Sequence, residues 1–452
     1  MILITTKSGA NKKGVGASFT SNTTFERPLR IPEYQNRYGQ GAGGRFAFGD
    51  GFGNGINDNI DESWGPALDG QLIVQHNSPT GSGLRAGGCA VRPRNANGQF
   101  ADEAEARPWS AAPTNIEDFF ETGVTSINSL SLYGGDDLRN FRLSYSNTAS
   151  QGILPNTDLK RDNATLDVNQ FFLDKKLKVN TNLNYIASGS NNRPNNSYGT
   201  ENVMYLGVWF GRQIDMNSLQ DYWQPGQENI QQFNYNYNWH DNPYFTMFEN
   251  TNAFDKGRLF GNLNATYEIS PELSLMARYG LDTFDELRTS RRAFSTQRFP
   301  QGQYREDNIH FNERNTDLLL TYAPKLDGAL SLSISAGGNQ MTQERRYRRT
   351  AANQLAIPGI YSFNNAAIPL TNNQFNSERR INSVYATANI GLSSFLYLDL
   401  AGRNDWSSTL PSANNSYFYP AASLSAVVSE VIDLPNAISF AKLRAGWGQV
   451  GN

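Results

Sequence analysis

Cysteine, histidine, net charge and long apolar runs are all scarce in this sequence. A single cysteine, Cys89, excludes an internal disulfide framework and a cysteine-based zinc site. The three histidines, His76, His240 and His310, lie far apart, and none has another His or Cys at ligand spacing. The 39 basic and 42 acidic residues give a net charge of -3, which offers no electrostatic footprint for nucleic acid. We therefore expect no metal, no cofactor and no nucleic-acid partner.

Signals for membrane helices, targeting and catalysis are missing as well. No apolar run reaches the roughly 18 residues of a transmembrane helix, and residues 1–14 lack the order of a signal peptide. No nucleophile elbow, HExxH motif, P-loop or CxxC pair occurs, so no catalytic residue is predicted. These absences alone would favour a cytosolic protein, but the periodicity of the sequence favours another class.

Apolar and polar residues alternate over long stretches. In the segment 177–187, Leu177, Val179 and Leu183 share one face of a strand, whereas Asn180 and Asn182 share the other. The segments 258–269, 273–284, 329–342 and 381–392 repeat this pattern. The runs are about 9 to 12 residues long, which exceeds a typical globular strand and matches a strand that crosses a bilayer. The pattern predicts an all-β fold, a transmembrane antiparallel β-barrel with lipid outside and water or polar side chains inside.

The connections between these runs sort into two classes that alternate along the chain. Short connections are predicted at 134–140, 173–176, 270–272, 324–328 and 393–394, and long ones at 25–126, 149–163, 188–257, 285–312, 343–380 and 406–416. Tight turns at one end and long loops at the other are typical of an outer-membrane barrel. A soluble β-sandwich, the alternative, would have more even loops and shorter strands.

About thirteen strands are predicted, at 15–24, 127–133, 140–148, 164–172, 177–187, 258–269, 273–284, 313–323, 329–342, 381–392, 395–405, 417–428 and 439–449. Single-chain bacterial barrels normally have an even number of strands. We therefore expect the chain to be an internal piece of a longer barrel protein.

Aromatic residues flank the polar loop between the strands 395–405 and 417–428. Trp406, Tyr417, Phe418 and Tyr419 are predicted, together with Trp447, to form part of an aromatic girdle at the membrane interface. A ligand-stacking role for these residues is the alternative.

The long segment 198–248 is the best candidate for ligand contact. Its aromatic residues among Asn, Gln and Asp are Trp209, Trp223, Tyr235, Tyr237, Trp239 and Tyr244. Flat rings stack on sugar faces or on peptide side chains, and amides and carboxylates bind hydroxyls. The alternative is that these rings pack the loop against itself or against a partner protein.

Two charged segments could either bind a ligand or simply be exposed to solvent. Asp50, Asn54, Asp58 and Asp61 could suggest calcium, but their spacing is not that of an EF-hand, and a solvated turn is favoured. The basic run "ERRYRRT" at 344–350 could meet anionic lipopolysaccharide or an acidic substrate, and a solvated strand end is favoured.

Several segments together resemble one family, the SusC/RagA-type TonB-linked outer-membrane transporters. "ILITTKSG" (2–9) resembles the close of that family's plug domain, and "DESWGPALDGQLI" (61–73) looks like a motif of its first long loop. The segment 115–169 is similar to the early barrel hairpins, including a turn at Gly152. The segments 397–430 and 442–452 are similar to later barrel segments, although the family usually has a smaller residue where Trp406 stands.

The resemblance implies a plugged barrel of about 22 strands. Residues 1–9 would be the C-terminal end of the plug, and 10–452 a partial barrel with long extracellular loops. Family members import oligosaccharides, or sometimes peptides, with energy from TonB, and a SusD-like surface lipoprotein caps the barrel. The segment that contacts TonB would lie outside this chain. Upstream sequence should encode a signal peptide and a plug, and a lipoprotein gene should follow.

Three functions are therefore open. The first is an energised importer in the cell outer membrane. The second is a passive porin, against which the plug-like "ILITTKSG" argues. The third is an outer-membrane barrel enzyme. Such an enzyme would need a Ser/His or paired-acid constellation, and no serine can be placed against His240 and Asp241 from the sequence.

Overall fold

The computed structural model describes residues 14–46, 60–81, 85, 104–195, 202–237, 239–432, 435 and 438–450. The chain is all-β and is dominated by one antiparallel sheet of 13 strands, in which each strand pairs with its neighbours in sequence. The strands are β1 (Val15–Glu26), β2 (Gly123–Gly135), β3 (Arg139–Gln151), β4 (Asp158–Phe172), β5 (Leu177–Ser190), β6 (Asn252–Ser270), β7 (Leu273–Thr296), β8 (Phe299–Tyr322), β9 (Leu330–Ala352), β10 (Thr371–Leu392), β11 (Leu396–Ser407), β12 (Ser416–Val427) and β13 (Lys442–Gly448). Within the described ranges the edge strands β1 and β13 pair with one neighbour each.

The remaining elements are short and lie in the connections. Two small hairpins pair Gly41–Ala42 with Arg45–Phe46 and Leu72–Ile73 with Arg107–Pro108. The helices are α1 (Leu206–Trp209) and α2 (Pro243–Glu249), with 3-10 turns at Glu117–Phe119, Val203–Tyr205, Met216–Leu219, Phe363–Asn365, Ser412–Asn414 and Val428–Glu430. Among the described residues, helices that could span a membrane are absent, since none is both long and apolar enough.

The thirteen strands predicted from the sequence correspond one to one to the strands of the sheet, and the all-β class is confirmed. Three of the predicted long loops are wrong, and the first of them, 149–163, shrinks to the six residues 152–157. The segment 285–312 is a continuous hairpin, because β7 runs to Thr296 and β8 restarts at Phe299. The segment 343–380 shrinks to 353–370. Charged and polar residues occur on both faces of these extensions and interrupt the apolar alternation, although the backbone ladder continues.

The two faces of the sheet differ in chemistry over its whole width. We call the apolar side the outer face and the opposite side the inner face. The outer face carries, on successive strands, Leu183, Leu259, Leu275, Leu318, Ile334, Val384, Leu400 and Leu424, which are 37% to 54% exposed. So wide an apolar surface indicates contact with lipid or with a partner.

The inner face is built from amides and from ion pairs between neighbouring strands. Arg258 Nη2 lies 2.6 Å from Asp282 Oδ2, and Arg278 Nη2 lies 3.0 Å from Asp317 Oδ2. The Asn339 amide also donates to Asp317 Oδ1 at 2.9 Å. Arg278 lies directly across from Asp317, and Arg258 lies diagonal to Asp282; such cross-strand pairs stabilise a sheet by about 0.2–1 kcal/mol each. These pairs also neutralise much of the charge that faces inward.

The two ends of the sheet differ as the alternation of loop lengths predicts. One end, which we call the turn end, carries connections such as 136–138, 173–176 and 271–272. The other, the loop end, carries the two longest connections, 27–122 and 191–251. The apolar cluster of fully buried residues lies in these two loops and not between layers of sheet.

One glycine is required by the backbone at the loop end of the β7–β8 hairpin. Gly302 has φ +68°, and a Cβ there would lie 2.8 Å from the Arg292 carbonyl oxygen. The two strands keep one register past this point, since Arg292 pairs with Gln303 and Phe294 pairs with Gln301. The hairpin therefore contains one residue in the left-handed conformation, which glycine adopts without strain.

We predict that Gly302→Ala lowers the free energy of unfolding by about 1–2 kcal/mol, because Ala in this conformation is strained. Gly280→Ala is the matched control, since a Cβ at Gly280 would meet nothing nearer than 3.7 Å. Urea titration of the detergent-folded protein, followed by its heat-modifiable gel mobility, measures both. Equal stability of the two variants would contradict the role assigned to Gly302.

Candidate functional site

The two longest loops, 27–122 and 191–251, pack together into one unit at the loop end, which we call the loop assembly. Its buried apolar cluster consists of Ile116, Phe119, Val203, Tyr205, Leu206, Phe210, Ile214, Met216, Leu219, Phe233, Tyr235, Tyr244 and Met247. Polar contacts join the two loops around it. The Asn115 amide donates to the carbonyls of Gly211 and Ile214 at 2.9 and 3.0 Å, and the Tyr34 hydroxyl donates to the Gly207 carbonyl at 2.9 Å.

A buried asparagine shows how this polar sequence folds. The Asn242 side-chain oxygen caps α2 by accepting from the backbone N–H of Tyr244 at 2.8 Å, and Pro243 occupies the first turn. The Asn242 amide group donates to the carbonyls of Leu219 and Phe233, both at 2.9 Å. One side chain therefore starts the helix and ties it to two neighbouring segments.

The loop assembly is attached to the wall of the sheet. The Gln232 amide donates to Asp241 Oδ1 at 2.7 Å and to the Ser295 carbonyl of β7 at 2.6 Å. Asp241 Oδ1 also accepts from the backbone N–H of Gln297 at 2.8 Å. Asn250 accepts from the backbone N–H of Ala293 in the same hairpin at 3.0 Å. These buried bonds hold the assembly against the end of the β7–β8 hairpin.

Two of the six predicted ligand-contact residues lie inside the assembly. Tyr235 is 1% exposed and meets Phe210 edge-on, with ring centroids 5.0 Å apart. Tyr244 is 8% exposed and meets Phe119 edge-on at 5.2 Å. In the structure both rings pack the loop core, which is the alternative that the sequence left open.

The other four residues lie nearer the surface. Trp223 meets Phe245 edge-on at 5.2 Å, and the Tyr237 hydroxyl accepts from the Gln224 amide at 2.8 Å. Trp209 is half-buried against the core, whereas Trp239 is 45% exposed. A stacking role for these four residues stays a prediction, and Trp239 is the most exposed of them.

A carboxyl group is partly buried beside Trp223. Glu249 Oε1 accepts from the Tyr222 hydroxyl at 2.9 Å. Burial raises the pKa of Glu249, and hydrogen bonds from Tyr222 and Trp223 act in the opposite direction. The Glu249 carboxyl group therefore holds the side chains of Tyr222 and Trp223 in place.

His76 and Ser218 form the one His–Ser contact among the described residues. His76 Nε2 lies 3.0 Å from Ser218 Oγ, and Ser218 Oγ donates its hydrogen to the Asp215 carbonyl at 2.6 Å. Because that hydrogen is already used, His76 donates to Ser218 and is not placed to take a proton from it. The arrangement is unlike a nucleophile and its base, which argues against the enzyme hypothesis.

The other two histidines each contact one carboxylate. His240 Nε2 lies 2.8 Å from Asp61 Oδ2, between the two loops of the assembly, and its ring stacks on Tyr205 at 4.3 Å. His310 Nδ1 lies 2.7 Å from Asp285 Oδ1 on the outer face. Within the described part of the chain there is no group of three or more His, Cys, Asp or Glu residues that could hold a metal ion.

Some predictions fall on residues outside the described ranges. These are the plug-like segment 1–9, Cys89, and Asp50, Asn54 and Asp58 of the acidic loop. Asp61 of that loop is described and contacts His240.

The strand register places the five predicted girdle residues on two different faces of the sheet. Trp406, Phe418 and Trp447 lie on the outer face; the first two are near the loop end of the sheet, whereas Trp447 pairs with Ala422 in the middle of β12. Tyr417 pairs with Asp405, and Tyr419 with Arg403, so both tyrosines lie on the inner face. The girdle role of the residues on the outer face stays a prediction, and alternation along β12 is the signal that could have separated the two tyrosines from Phe418.

We predict that the loop assembly loses stability as the pH falls below about 6.5. Burial lowers the pKa of His76 from 6.5 to about 3, with Arg85 and Arg107 acting in the same direction. The unfolded segment binds a proton near pH 6.5, whereas the folded one binds it only near pH 3. Stability is therefore complete above pH 6.5 and decreases through this window by at most about 1.4 kcal/mol per pH unit.

Hydrogen exchange of the loop amides at pH 7, 6 and 5 measures this effect. His76→Gln should flatten the pH dependence. His310→Gln on the outer face is the control and should retain it. A pH profile that is the same in all three proteins would contradict the prediction.

Solved structures of other proteins share the fold of this chain. No protein-family model and no curated protein matches the chain. Among solved structures, the RagAB peptide importer in its closed-closed state matches with TM-score 0.67 and 17% identity, over 98% of this chain and 48% of that chain. Its open-open state gives 0.66 and 17%, over 98% and 47%. A RagAB peptide transporter structure gives 0.61 and 18%, over 74% and 37%.

The chain thus spans about half the length of the chains that it matches. At this level of identity, the likeness concerns the fold. It extends over nearly all of this chain, whereas the sequence resemblance rests on separate segments between residues 2 and 452. The chain has the fold of a SusC/RagA-type TonB-linked outer-membrane transporter.

Proposed function

We propose that the chain is part of an active transporter in the cell outer membrane, which imports oligosaccharides or peptides with energy from TonB. The observation that carries this proposal is the match of 98% of the chain to the RagAB peptide importer. The sheet itself is consistent with it. A wide apolar outer face suits lipid, and a polar inner face lined with paired charges suits a hydrated or plugged lumen.

The passive porin remains the second candidate, because the inner face alone would also suit a water-filled channel. The two candidates differ in their need for energy and in their conductance. We take residues 1–9 as the close of a plug, which a porin would lack.

The test uses the full-length protein in its native cells. Labelled oligosaccharides and labelled peptides are offered to cells with and without functional TonB. An importer loses saturable uptake of one of these classes, by at least about tenfold, when TonB is inactivated. A porin would keep its uptake and would show a steady open conductance in planar bilayers. Uptake that is independent of TonB would refute the proposal.

We also propose that the loop assembly contacts a SusD-like surface lipoprotein. Large apolar side chains are exposed on it, among them Met204, Val208, Ile230 and Trp239, at 45% to 66%. Exposed apolar residues of this size are typical of surfaces that bind a partner. They lie at the loop end, where a capping protein would sit.

Val208→Glu should weaken the binding of this lipoprotein by at least about tenfold, because a charge would be buried in the contact. Leu326→Glu is the control, since Leu326 is 40% exposed in a connection at the turn end. Co-purification and titration with the lipoprotein encoded beside the transporter gene measure both variants. Equal binding by the two variants would exclude Val208 from the contact.

A further inference from the structure

The extended strands β7 to β10 build a wall on the inner face at the loop end. The strand register determines which side chains line this wall, because residues paired across antiparallel strands point to the same side of the sheet. One row across the wall runs from Arg258 to Phe284, Phe311 and Arg345. The row above it includes Tyr347 and Phe375, and the row below it ends with Arg379. The wall occupies the segments 285–312 and 343–380, which the sequence assigned to loops.

An aromatic platform lies at the centre of this wall. Phe284 and Phe311 stack with ring centroids 5.2 Å apart and ring planes 20° apart. Tyr347 lies directly opposite Phe375 on the next strand, and Phe375 is 55% exposed. Lys256 Nζ lies 3.7 Å from the centroid of the Phe284 ring, so the most exposed ring of the platform is that of Phe375.

The acidic side chains of the wall are already paired. Glu286 contacts Lys256 at 3.3 Å and Arg288 at 2.5 Å. Asp307 contacts Arg349 at 2.7 Å and Arg305 at 3.5 Å. These carboxylates have no capacity left to neutralise further cations.

Glu313, in the row below, is engaged by amides. Its two oxygens accept from Asn315 at 3.0 Å and from Gln343 at 2.8 Å. It is therefore part of a hydrogen-bonded network with neutral groups, and it is not an ion-pair partner for the arginines beside it.

Two arginines on the wall are left without such partners. Arg345 and Arg379 are exposed on the inner face, and within the described residues neither has an ion pair or a side-chain hydrogen bond. Arg345 pairs with Ser377 and Arg379 with Gln343, so the two arginines are diagonal neighbours. Diagonal side chains on a sheet stand about 7–8 Å apart. The wall thus carries two unpaired cations beside exposed rings.

We propose that this wall binds an extended acidic peptide, with Arg345 and Arg379 pairing its carboxylates and the platform of Phe284, Phe311 and Phe375 contacting an apolar side chain. Alternate residues of an extended peptide lie on one side, about 6.6 Å apart, which fits the spacing of the two arginines. Guanidinium–carboxylate pairs supply direction and selectivity. This inference rests on the proposed transport function and specifies its substrate class.

A peptide fits the wall better than an acidic oligosaccharide does. A sugar-binding site needs free carboxylates and amides to pair several hydroxyls, and here Glu286, Asp307 and Glu313 are already engaged. The exposed arginines and Phe375 pair with carboxylates and apolar side chains, and the exposed Asn373 and Ser377 on the same face can bond a peptide backbone.

The sequence supplies a matched control. Arg346 and Arg380 follow the two arginines directly, and alternation places both on the outer face. R345Q/R379Q and R346Q/R380Q remove the same charge from the same two strands, but from opposite faces.

The probes are the blocked peptide Glu-Ala-Glu-Ala-Phe, its Gln-Ala-Gln-Ala-Phe counterpart and an oligogalacturonate, each titrated against the full-length transporter in detergent. R345Q/R379Q should bind the acidic peptide at least about tenfold more weakly than the wild type does, since charge-assisted pairs are lost. The R346Q/R380Q control should match the wild type. The glutamine peptide should bind all three proteins weakly and equally.

Three results would overturn the inference. One is equal affinity of both double variants for the acidic peptide. Another is binding of the oligogalacturonate, and not of the peptide, that depends on Arg345 and Arg379. The third is loss of heat-modifiable folding in R345Q/R379Q alone, which would assign the arginines to a contact within the protein. TonB-dependent uptake in native cells is measured separately, so the transporter proposal can stand when the site does not.

Discussion

The antiparallel backbone ladder is the constraint on which the rest of this protein depends. Each strand of the sheet pairs with its sequence neighbours, so a single register runs across all 13 strands. Because side chains alternate, that register assigns each residue to one of two faces. A one-residue slip in any strand would exchange its apolar and polar sides. The apolar outer face and the ion-paired inner face are therefore maintained together, and both are lost together.

The loop assembly follows a different principle. Its core is aromatic, but its segments are joined by buried amide side chains that satisfy backbone groups of neighbouring loops. Asn242 caps a helix and ties two further segments, and Asn115 joins the first long loop to the second. A buried amide that bonds fully can fix irregular backbone that no regular ladder reaches. This explains why so many Asn and Gln residues occur in loops that fold.

The sequence predicted the strands well because lipid and water impose a strong two-residue period. It failed where charged and polar residues occur on both faces of a strand, as in the segment 285–312, since the ladder continues there without a regular apolar period. The alternation of side chains along β12 would have placed Tyr417 and Tyr419 on the inner face. The same alternation along β9 places the side chains of the basic run 344–350 on the two faces in turn.

The aromatic loop could not be resolved from sequence. Burial of Tyr235 and exposure of Trp239 depend on how the two long loops meet, and no local pattern reports that contact. The same limit applies to Ser218 and His76, which are 142 positions apart in the chain and come together only in the folded loops.

The attachment of the loop assembly has a mechanical consequence. Asn156, between β3 and β4, donates to the Met247 carbonyl at 2.8 Å, and Asn192, at the end of β5, donates to the same carbonyl at 2.9 Å. Asp241 accepts from Gln297 and Asn250 accepts from Ala293, so the β3–β4 and β7–β8 hairpins both hold the same loop. A pull on that loop would be shared among neighbouring parts of the rim instead of being carried by two hinge points. The rim of the sheet and the loop would then move together as one rigid body.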